Sequence, residues 1–209
     1  MIQKRPVWDL PTRIFHWSFA ASVLLSMLIV YGRQYASLHI LAGSIAFVLV
    51  FGRVVWGVFG TRYVRFSAFL KGIKDVKNEF AIFKTEQVSH TVGHPAVAGW
   101  VMLIMMFCGI GVGISGVWLY AFVDEVNKEV TLYWHEVFAN SLLVIAFVHV
   151  QGVFLHILTH KDGIVRGMID GKRPALESEQ IKGLNKIQIL LSIAWFGGVL
   201  ATAFFVLKN

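Results

Sequence analysis

The 209 residues are 56% hydrophobic and only 15% charged, with a mean hydropathy of +0.67, which excludes a soluble domain and predicts an all-α polytopic membrane protein. The formal charge of +7 reads as membrane topology rather than nucleic-acid binding, because the cations gather in the polar segments between apolar ones. The single Cys108, set in an apolar run, excludes a disulfide framework, a thiolate metal cluster and a CxxCH haem attachment.

The N-terminal MIQKRPVWDLPTRIFHW reaches its first apolar run with no small-residue cleavage site after it, predicting an uncleaved first span from about Arg13 to Tyr31. Pro11 and Thr12 suit its start, and His16 lies in its first turn. A turn at Gly32 to Ser37 leads to a second span, about Leu38 to Phe59, with His39 in its first turn; the two histidines therefore sit at opposite membrane faces. Gly60 to Pro95 is polar and basic, predicting a loop with an interfacial helix over Phe69 to Phe83. A third span, about Ala96 to Val123, and a fourth, Thr131 to Leu158, flank an acidic connector of Asp124, Glu125 and Glu129. After a polar stretch, His160 to Asn185, a fifth span covers Lys186 to Leu207. Fifteen Lys and Arg fall on the side of the N-terminus, the 60–95 loop and the 160–186 segment. Only Arg33, Lys128 and Lys208 fall on the other, with Arg53 inside span two. By the positive-inside rule the basic side is cytoplasmic, so the five spans run from an N-terminus inside to a C-terminus outside.

The fourth span carries the chemistry. His135 and His149 are 14 residues apart, so at 100° and 1.5 Å per residue they share a face to within about 40° and stand about 21 Å apart along the axis. A lone histidine in a span is more often a packed, hydrogen-bonded side chain than a ligand. Two on one stripe at opposite depths favour axial ligation of two stacked haems. Depth pairs His16 with His149 at the cytoplasmic level and His39 with His135 at the outer level. Bis-His iron has no open position for oxygen, so electron transfer is the natural task.

PTRIFHW, the HxxxG of His39 and Gly43, FGRVVWG around Arg53, GHPAVAG, the 14-residue histidine spacing and VRGMIDGKR resemble, in that order, the bacterial cytochrome b561 family. That family includes the cytochrome b subunits of nickel-iron hydrogenases and formate dehydrogenases. The resemblance covers about Val7 to Arg173. It implies two b haems on His16, His39, His135 and His149, with quinone (ubiquinone or menaquinone) exchanging near one of them. Residues 1–173 would be the dihaem four-helix core, and 174–209 a cytoplasmic linker with an additional transmembrane helix. Lys161, Asp162 and Gly163 stand where the family often has Arg-Glu-Asn, and the fifth span goes beyond its four-span core.

Arg13 and Arg53 flank the inner level and could pair with haem propionates, snorkelling to headgroups being the alternative. His94 is either a capping residue or a hydrogen bond to quinone or propionate. His156 suits the cytoplasmic face or a quinone pocket. Gly111, Gly113 and Gly116 spell GxGxxG inside a span with no preceding strand, so a dinucleotide site is rejected in favour of close helix or porphyrin approach. Three functions compete: an electron conduit between quinone and a c-type cytochrome or periplasmic redox subunit, a quinone-linked superoxide oxidase, and a nonredox scaffold. The acids Asp124, Glu125, Glu129 and Glu136 suit a basic protein partner better than the superoxide anion, which favours the conduit.

Overall fold

The computed structural model describes residues 2–29, 35–70, 72, 74–78, 92–93, 95–160 and 163–208. In chain order these form β1 (Gln3–Pro6), α1 (Leu10–Leu28), α2 (Ala36–Phe59), the single turn α3 (Phe66–Phe69) and α4 (Ala96–Ala121). Then come α5 (Lys128–His160), α6 (Ile164–Asp170), β2 (Lys172–Ala175), a 3-10 turn (Glu177–Glu179) and α7 (Lys186–Lys208). Of the expected interfacial helix, residues 74–78 are helical, and 79–83 lie outside the described residues.

Four helices are long and apolar enough to cross a membrane: Ala36–Phe59, Ala96–Ala121, Lys128–Thr159 and Lys186–Lys208. The expectation of five is met only to that extent. The helix that falls short is α1, whose 19 residues take in Pro11, Arg13, His16 and Trp17 and so lack an unbroken apolar stretch. Outward-facing Leu28, Phe51, Phe107, Phe147, Leu200 and Phe204 are each 61–72% exposed, an arrangement suited to lipid and unfavourable in water.

Packing follows the small residues. α1 runs along α2, α2 along α4 and α7, and α4 along α5. A Cβ at Gly113 would overlap the ring of Phe47, and one at Gly52 the indole of Trp195, so these glycines let α4 and α7 approach α2 closely. α7 is further fixed by Gln188, whose amide donates to the carbonyls of Phe59 (3.0 Å) and Gly60 (3.1 Å) at the end of α2.

One end of the bundle is closed by a cap. β1 pairs antiparallel with β2, Gln3 opposite Ala175 and Pro6 opposite Lys172, over a core of Val7, Trp8, Trp56, Val64, Val92, Ala175 and Trp195. Gly171 ends α6 with φ +80, where any side chain would be strained, and its carbonyl accepts from the N–H groups of Val7 (2.9 Å) and Trp8 (3.0 Å). Asp9, 5% exposed, is the N-cap of α1: it accepts from Thr12 N (2.8 Å), Trp56 Nε1 (3.3 Å) and Thr61 Oγ1. Tyr63 donates its hydroxyl to Glu179 O at 2.7 Å, and burial raises its pKa. The described parts of the three basic segments thus meet at one end. The stretch His160 to Asn185, a polar connector by sequence, carries α6, β2 and the 3-10 turn, and α6 takes hydrogen bonds from α1.

Candidate metal centres

Four histidines from three helices meet in two pairs. His16 of α1 faces His149 of α5 with ring centroids 6.4 Å apart, and His39 of α2 faces His135 of α5 at 6.3 Å. The pairing arises because α5 presents both histidines on one side while α1 and α2 run antiparallel, each offering a histidine from its first turn or two. Neither pair is joined by a third ligand: no group of three or more His, Cys, Asp or Glu able to hold a metal occurs among the described residues.

Two imidazoles per site do not make a tetrahedral protein cage, but they suffice for a metal whose equatorial positions come from a macrocycle. The spacing fits such a metal. Two ring nitrogens each about 2.0–2.1 Å from a shared ion place the ring centroids about 6 Å apart. The helix surface beside each pair is also open: a Cβ built on Gly43, one turn after His39, or on Gly152, three residues after His149, would meet nothing within 4 Å.

The rings of the His39–His135 pair are also oriented. His39 Nδ1 lies 2.9 Å from the carbonyl of Ser26, which can only accept, so Nδ1 carries the proton and Nε2 the lone pair. His135 Nδ1 lies 3.0 Å from Ser115 Oγ on α4, beside Gly116, where a Cβ would come within 3.2 Å of His135 Cε1. In the other pair, His16 Nδ1 is buried with no partner among the described residues.

The remaining sequence candidates divide. Arg13 donates to the carbonyl of Ile169 on α6 at 2.5 Å, while its Nε is buried with no partner among the described residues. Beside it Trp17 donates to Met168 O at 3.0 Å. Arg53, 4% exposed, donates to Val64 O at 3.1 Å and is turned into the cap rather than out to headgroups. His94 lies outside the described residues, and His156 is half-buried two turns beyond His149. Asp124, Glu125, Glu129 and Glu136 are all exposed. Asp124 accepts from the backbone N–H (2.9 Å) and side chain (2.8 Å) of Asn127, and Glu125 pairs with Lys128 at 3.4 Å.

Sequence reasoning missed Ser26, Ser115, Asp9 and Gly152. Ser115 had a signal, since it lies six residues before the end of α4 and His135 seven after the start of α5, which puts them at one depth across a tight connection. Ser26 had none, because its contribution is a backbone carbonyl.

A family model described as prokaryotic cytochrome b561 matches residues 7–171. No curated protein and no solved structure matches the chain.

Proposed function

The chain belongs to the prokaryotic cytochrome b561 family, and on that premise we propose that it conducts electrons through two b haems, between the quinone pool and an extracytoplasmic c-type cytochrome or redox subunit. Membership carries haem b and membrane electron transfer. The two sites, the quinone and the partner are proposed from this chain's own residues. His16 and His149 would hold the inner haem, and His39 and His135 the outer one. The supporting observation is the pair of facing imidazoles, 6.4 Å and 6.3 Å between centroids, at two levels of α5.

When bound, a haem supplies a reversible one-electron iron couple. The chain's residues do the rest. Four imidazoles bind and orient, the Ser26 carbonyl and the Ser115 hydroxyl fix two of them, and the apolar faces of α2, α4 and α5 exclude water. With α1 taken as a fifth span on its packing along α2, the positive-inside count puts the capped end in the cytoplasm and the 124–136 connector in the periplasm. A quinone would meet the inner level near His16, Arg53 and His94, with Arg13 alongside. The exposed acids of the connector would steer a basic partner toward the outer level, whereas a superoxide oxidase would call for a cationic approach. The test is a reduced-minus-oxidised spectrum and haem count of the purified protein. A b-type band with two haems per chain is expected; no band overturns the reading.

A further inference from the structure

Ser115 stands in a position that its helix alone does not require. Its Oγ is 2.7 Å from Gly111 O and 3.0 Å from Val112 O on its own helix, and 3.0 Å from His135 Nδ1 on the next. A hydroxyl has one proton and two lone pairs. The two carbonyls can only accept, so the proton goes to α4, and the third contact closes only if the ring nitrogen is the donor. Together with the carbonyl of Val112, which also bonds the ring, that contact keeps the hydrogen of His135 on Nδ1 and leaves Nε2 free to ligate.

The residue is 8% exposed, so water does not compete for the bond, and the missing side chain at Gly116 lets the ring settle against α4. A ring donating from Nδ1 becomes a more basic ligand through its other nitrogen. A more basic axial ligand favours the ferric over the ferrous state. Resting on the reading of His39 and His135 as one axial pair, we propose that Ser115 is a positioning residue for His135 and lowers the reduction potential of the outer centre. His16, the inner counterpart on α1, has no partner on its Nδ1 among the described residues, so the inner centre supplies the control within one molecule.

The experiment is a redox titration of the purified protein with both b centres followed by their absorbance, alongside the haem count. Ser115→Ala should shift the ferric preference of the outer centre by about tenfold, an increase of about 59 mV for a one-electron couple, and leave the inner centre in place. Ser115→Thr, which keeps the hydroxyl, should restore the wild-type potential. Loss of the outer haem in Ser115→Ala with retention in Ser115→Thr also supports the role, because the hydroxyl is then what matters. Loss of that haem from both variants makes the position one of packing and overturns the proposal. A wild type with two haems and a Ser115→Ala potential that does not move overturns this inference alone; a wild type that takes up no haem overturns the axial pair with it.

Discussion

Replacing His149 with Ala isolates one centre of the pair. His149 faces His16, while the other two rings are held by groups it does not touch, Ser26 O on α1 and Ser115 Oγ on α4. The 14-residue separation places His135 about 21 Å away along α5, beyond the roughly 7–10 Å within which substitutions usually couple. Ala is the better helix former by up to about 0.7 kcal/mol, so α5 itself is not weakened by the change. The inner site is left with one imidazole and the outer site keeps two. The ratio of haem to protein should therefore fall from about two to about one, with the outer spectrum unchanged. Pyridine haemochrome assay against protein concentration reads the ratio, and carbonate extraction of membranes confirms insertion. If His149→Ala and His135→Ala each removed both haems from an inserted protein, independent pairing would be refuted.

Asp9→Ala removes the cap of α1 and strands two buried donors, so the purified protein should lose about 3 kcal/mol or more, read as a lower unfolding temperature; an unchanged temperature would mean that the cap is not coupled to the bundle. His94→Ala should slow reduction of the inner haem by a quinol while both haems stay bound, and an unaltered rate would move the quinone site away from that residue. For the outer face, Glu125→Gln and Glu129→Gln together with Asp124→Asn, which keeps the acceptor that Asn127 uses, should slow exchange with a basic partner. They should also flatten its salt dependence, since the field is screened over about 8–10 Å; a rate indifferent to both would exclude steering.

The depth of each histidine was legible because helical rise is fixed, and counting from the apolar boundaries put His16 with His149 and His39 with His135 before any packing was known. What the count could not supply was rotation. Whether Ser115 meets His135 depends on how far α4 turns against α5, and that is set by Gly111 receiving Phe138 and Gly113 receiving Phe47, contacts with no periodic signature. The cap was invisible for a different reason. Its strands are four residues each, both contain a proline, and they lie at opposite ends of the core, so neither alternation nor a turn announces them.

The place where hydropathy reading fell short is also where one of the two proposed sites lies. α1 is not apolar enough to cross a membrane by composition because it carries Arg13, His16 and Trp17 within two turns. An arginine and a tryptophan there need partners, and α6 provides them as the carbonyls of Ile169 and Met168. Those carbonyls are held in place by the left-handed turn at Gly171 and by β2, which pairs with the strand leading into α1. The cap at this end therefore does more than close the bundle. It makes two polar turns tolerable at the start of α1, and those turns carry His16 opposite His149. On the proposed function, the weaker apolar signal of the first helix follows from a site at His16, as is expected where local preference yields to a functional position.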